Sequence, residues 1–162
     1  MIIINFKSRF RNLFFYFILS LSVVVEAVNS RSILGPQYLK YELSWCLKSS
    51  QCISLEVADS PLRRQIGLMH RQVLPSNTGM IFLFKKPTNQ KFWMLNTLHP
   101  LDIIFIKNNK IIHLEENADI CKKKPCPFYG PDRFYDYVIE LKSGDIKRLK
   151  INISDLVQLK RL

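Results

Sequence analysis

Phe92-Trp93-Met94-Leu95-Asn96-Thr97 is the stretch whose residue types come nearest to a binding site. Spaced as a strand, Trp93 and Leu95 face one side while Phe92, Met94 and Asn96 face the other. An indole plate beside a carboxamide suits a pocket wall that orients a polar ligand. The same residues also suit a core Trp, with Asn96 holding a loop through side-chain to backbone bonds, and this structural reading is favoured. Asp102 follows Pro100-Leu101 and opens an apolar run. It could act as an acid or base with Arg71 orienting a substrate, but pairing with Arg71 or Arg64, or capping a turn, is the commoner use of such a carboxylate.

Other combinations are weaker. Met69, Met80 and Met94, with His70, His99 and His113, are residue types that bind Cu(I), but no His-x-His or Met-x-Met spacing concentrates them. Glu115 and Glu116 would point to opposite faces of a strand, which argues against a shared metal. No nucleophile elbow, phosphate loop or metalloprotease helix is present. No metal or cofactor is therefore expected, and the sequence gives no positive evidence for an enzyme. A non-enzymatic binding or accessory domain is favoured over a hydrolase-type enzyme built on Asp102 and Arg71.

The four cysteines fall into two local pairs, Cys46/Cys52 and Cys121/Cys126. Three pairings are formally possible, and the short loops favour 46–52 with 121–126. These spacings are loose for a four-Cys zinc site and lack the Cys-x-x-Cys of a redox centre. Disulfides imply an oxidising compartment, and the N-terminus agrees. Lys7, Arg9 and Arg11 precede an apolar run from Leu13 to Val25, and Val25 and Ala27 suit a signal-peptidase site after residue 27. As a helix that run spans roughly 20 Å, short of the roughly 30 Å of a bilayer core. Residues 1–27 are expected to be a cleaved signal, and the protein periplasmic or extracellular. Membrane attachment is expected only if the segment is kept as an anchor.

Of the 162 residues, 24 are Lys or Arg and 13 are Asp or Glu. Removing residues 1–27 leaves a net charge of +9. Lys122-Lys123-Lys124 sits inside the Cys121–Cys126 loop, and Lys147, Arg148 and Lys150 form a second cluster. A solvated face is the ordinary reading of such a run. Where the charge has a partner, an exported chain points to an anionic envelope component, not nucleic acid.

Residues 28–38 read as a leader ending at Gly35-Pro36, and 39–162 as one domain. Ile53, Leu55 and Val57 alternate with Ser54 and Glu56 as a half-buried strand, with Ser54 and Glu56 on the polar side. Ser60-Pro61 starts a short helix expected to reach Met69. Short apolar runs follow at 79–84, 91–94, 101–106, 111–115 and 135–141, with Asn108-Asn109 as a hairpin turn. Leu149, Ile151 and Ile153 alternate again. The pattern predicts an all-β sandwich or barrel with one short helix near 61–69.

Several ordered motifs add a resemblance. Gly67-Leu68-Met69-His70-Arg71, Gly79-Met80-Ile81-Phe82-Leu83-Phe84, Phe92–Thr97, Pro100–Ile106, Glu116-Asn117-Ala118, Cys121, Pro125-Cys126-Pro127 and Tyr129-Gly130 occur in sequence. Over about 53–160 the chain resembles the domain-of-unknown-function 192 family, small exported proteins of bacteria and archaea. The resemblance implies a compact jelly-roll-like β-domain and no particular activity.

Overall fold

The structure, a computed structural model, describes residues 35–162. The expected signal, residues 1–27, and most of the expected leader lie outside the described residues. One sheet of seven strands organises the rest, in the order β5-β4-β6-β3-β2-β1-β7. The strands are β1 (Tyr41–Cys46), β2 (Cys52–Ala58), β3 (Thr78–Thr88), β4 (Leu101–Lys107), β5 (Lys110–Ala118), β6 (Tyr135–Lys142) and β7 (Leu159–Arg161). All neighbours run antiparallel except β2 and β3. That parallel pair requires a crossover, and helix α1 (Pro61–Ile66) lies in it.

Trp45, Leu55, Ile81, Ile104, Ile111 and Ile139, from six strands, share one buried cluster. The C-terminal segment spans the gap between the sheet's edges. Leu156 bridges to Lys110 at the start of β5, while β7 pairs with β1. The sheet thus curls like a barrel without a continuous closed ladder. Its opposite face carries a second core of Met80, Phe82, Ile103, Phe105 and Val138, with Leu68, Met94 and Cys121 from the covering loops. Both faces of β3, β4 and β6 are therefore buried, which explains their nearly unbroken apolar runs.

Several expectations need correction. Among the described residues there are two short helices, not one, because Asp145–Arg148 forms a single turn, here α2. The first helix stops at Ile66 and not at Met69, since Gly67 leaves helical geometry at φ 49°, ψ −130°. Residues 91–94 form no strand and keep only the bridge Phe92–Tyr129, because their apolar side chains cover the second face from a loop. Leu149 and Ile151 are buried and Ile153 is exposed, yet this alternation belongs to a loop. Glu56 is buried, because the segment after α1 covers the face on which it stands.

Gly79 shows how closely β3 and β6 approach. A Cβ there would lie 2.5 Å from the Glu140 carbonyl oxygen and 2.6 Å from Leu141 Cδ2. Gly79→Ala is expected to cost about 1–3 kcal/mol, read as a lower urea midpoint at unchanged slope. An unchanged midpoint would show that the two strands can separate freely.

Candidate functional site

The covering loops leave a groove of about 110 Å³ on the second face. One wall is Arg64, Gln65 and Ile66 of α1, continued by Gly67, Leu68 and Met69; the other is Gln90–Trp93 with Thr97. Phe82 and Phe84 of β3 and Glu140 of β6 also line it. For scale, an engineered cavity of 150 Å³ takes up benzene, so this groove suits a chemical group of a few heavy atoms.

Each wall follows from local chemistry. The Ser60 hydroxyl accepts from the Arg63 amide and starts α1 with Pro61 in its first turn. Gly67 ends it within van der Waals reach of the Phe82 ring: an added Cβ would lie 3.3 Å from Phe82 Cζ. Phe92 packs edge-on against Phe82 at 5.2 Å and against Phe105 at 5.7 Å. The second wall is tied to the Cys121–Cys126 loop, since the Cys121 amide donates to Met94 O and the Asn96 amide to Cys121 O.

Strand register places the buried charges. Glu56 of β2 stands opposite Met80 of β3, and Met80 opposite Glu140 of β6. The two carboxylates thus share one face two strands apart, roughly 10 Å between backbones. Arg71 donates from Nη1 and Nη2 to the two oxygens of Glu56, at 2.7 Å each. Leu39 N donates to Glu56 Oε2 at 2.6 Å, and the Tyr38 ring lies 4.9 Å from the guanidinium carbon. Glu140, only 5% exposed, receives no side-chain hydrogen bond among the described residues. Burial pushes its carboxyl up to about 8, and the Arg71 charge offsets this only in part.

The sequence-derived candidates separate. Trp93 lines the groove, with Lys124 Nζ 4.7 Å from its ring centroid and the exposed Phe128 ring nearly parallel at 6.4 Å. Met94 is wholly buried and Met80 likewise, both in the second core. Asn96 takes the left-handed conformation, φ 58°, a backbone role that Asn fills readily. Its carbonyl accepts from His70 N, and its side chain has no hydrogen bond among the described residues. Asp102 does not pair with Arg71 or Arg64: its oxygens accept from the amides of Asn117 and Ile146, at 2.9 and 2.8 Å. Arg71 is spent on Glu56. Lys122, Lys123 and Lys124 are exposed, on a loop closed by the Cys121–Cys126 disulfide; Cys46 and Cys52 form the other.

Glu140 was not among those candidates. Its sequence signal is an acid inside Tyr137-Val138-Ile139-Glu140-Leu141, where residues of both strand faces are apolar. Such an acid has no solvated side to turn to.

Glu140 also links stability to pH. The folded chain keeps its proton up to about pH 8, whereas an ordinary carboxyl releases it near 4.5. Between these values the folded state holds the extra proton, so this contribution is full below about pH 4.5 and is lost as pH rises to 8. Glu140→Gln should remove that slope and exceed the parent at pH 8 by on the order of 2–4 kcal/mol, measured by urea unfolding at several pH values. Parallel profiles for the two proteins would show that Glu140 ionises freely in the fold.

Comparison with known proteins places the chain. A UPF0127 protein of Pyrococcus abyssi (strain GE5 / Orsay) is 30% identical over 111 residues, covering 64% of this chain and 84% of that protein. The crystal structure of a protein of unknown function from Novosphingobium aromaticivorans DSM 12444 matches with a TM-score of 0.65 at 28% identity, over 79% of this chain and 89% of that one. A Sinorhizobium meliloti 1021 protein, described as a candidate transcription regulator, matches with a TM-score of 0.64 at 27% identity, over 77% of this chain and 98% of that one. The family model described as uncharacterized ACR spans residues 45–159, and the chain belongs to this domain-of-unknown-function 192 (DUF192) family.

Proposed function

We propose that the protein is a non-enzymatic binding domain whose groove over Glu140 receives a small polar ligand. Glu140 carries this reading: its side chain is nine-tenths buried, has no hydrogen-bond partner among the described residues, and lines a groove that also holds the rings of Phe82, Phe84, Phe92 and Trp93. Buried polar groups are normally paired, and an unpaired one facing open space marks the place where a partner docks. Two wider hollows, one beside Trp45 and Lys48 and one beside Phe128 and Lys124, have no carboxyl set inside the body in this way.

The reading of a hydrolase built on Asp102 and Arg71 has less support. Asp102 is occupied by two backbone amides and Arg71 by Glu56, so neither is free for a substrate. Two disulfides favour an oxidising, exported setting, where the exposed Lys122–Lys124 loop would face anionic envelope material. The same setting weighs against carrying a transcription-regulator role over from the Sinorhizobium protein. Among the described residues no helix is long and apolar enough to cross a membrane.

The test is an amide-resolved NMR titration with small alcohols, amides and amines at millimolar concentration. At least one probe class should shift Gly67, Phe92, Trp93 and Thr97, and Glu140→Ala should abolish those shifts while the remaining spectrum stays folded. Groove signals indifferent to every probe, or shifts that survive Glu140→Ala, would refute the site.

A further inference from the structure

Charge balance and ring chemistry narrow the ligand beyond "small and polar". Three charged side chains occupy the second face around Met80: Glu56, Arg71 and Glu140. One guanidinium faces two carboxylates, and both of its Nη groups are given to Glu56. Ionised together, the three would leave one uncompensated negative charge inside the body, which is costly to bury. Glu140 therefore stays protonated unless a cation beside it compensates its charge; a neutral group or an anion cannot do so.

The walls favour the same chemistry. Ring faces attract cations, and two rings of this groove already carry one: Arg64 lies over Phe84 at 5.1 Å, and Lys124 over Trp93 at 4.7 Å. Phe82 and Phe92 have no such cation among the described residues, and both line the groove with Glu140. Charged groups from four elements share this face or line the groove with Glu140. They are Glu56 on β2, Arg64 on α1, Arg71 in the segment after α1, and Lys91 before the Trp93 wall. Arg64 is tied to the carbonyls of Asp59 and Leu83, and Lys91 to Gly130 O and Asp132. Neither is free to act as the Glu140 counter-ion.

We infer that the groove binds a primary ammonium group, with Glu140 as its counter-ion and the Phe82 and Phe92 rings beside it. This rests on the groove being the ligand site. On binding, the neutral Glu140 carboxylic acid gives its proton to the buffer and the ammonium stays protonated. The complex therefore forms with proton release, because free Glu140 holds its proton up to about pH 8.

Calorimetry of the full chain with n-propylammonium, in buffers of differing ionisation enthalpy, tests this. n-Propanol and propionate serve as uncharged and anionic comparisons. The expected result is release of about one proton per amine bound near pH 6, falling towards none near pH 9. Glu140→Gln, checked for folding by its urea transition, should bind the amine at least about tenfold more weakly and release no proton. Binding of propanol in the groove with equal or greater affinity and no proton release would overturn the ammonium assignment while leaving the groove as a ligand site. Absence of binding by all three probes would overturn both readings.

Discussion

Two nitrogens of Arg71 meet two oxygens of Glu56 inside the body, where the side chains are 5% and 4% exposed. The planar fork and the carboxylate match in a bidentate pair, the geometry in which such a contact is strongest. Removing both charges from water is costly, and a pair of this kind contributes less to stability than to holding parts in register. Here it fastens the segment after α1 to β2. Leu39 N and the Tyr38 ring attach to the same pair, and the Gln37 side chain donates to the carbonyls of Arg63 and Gly67. The approach to β1, the crossover and the second strand therefore meet at one point.

The same commitment creates the groove's character. With both Nη groups spent on Glu56, Arg71 Nε is buried without a partner among the described residues, and Glu140 has no ion pair among them. The curled sheet contributes to this: its inner face is filled by apolar side chains, mostly aliphatic with Trp45 and Tyr137, so an inward acid on the other face depends on what the loops bring to it. Those loops bring aromatic rings, one arginine and a disulfide-closed turn. The disulfide does not line the groove, yet the backbone of Cys121 holds Met94 and Asn96, and so places Trp93.

Much of the fold was readable because it follows from local pattern. The apolar runs at 79–84, 101–106 and 135–141 are strands, the Asn108-Asn109 turn joins β4 to β5, and both cysteine pairs close as the spacing suggested. What was not readable depends on the second layer. Glu56 looked solvent-facing from strand parity, and only the chain returning through Arg71 buries it. Glu140 carries a sequence signal, an acid in a run apolar on both faces, but strand parity alone does not show that loops cover its face. Asp102 and Asn96 show the converse. Both stood out by type, and both serve the backbone, one by accepting two amide hydrogens and the other by adopting a left-handed turn.

The proposed role of the groove depends on Glu140 being a neutral acid without a hydrogen-bond partner among the described residues, and its protonation can be observed directly. A 13C NMR titration of the glutamate side-chain carboxyls, with Glu140 assigned by comparison with Glu140→Gln, reports the state of that one group. Its midpoint is expected to be pushed up to about 8 in the free protein. A midpoint in the ordinary carboxyl range near 4.5 would mean that Glu140 is already solvated or paired, and would remove the basis for a ligand site in the groove.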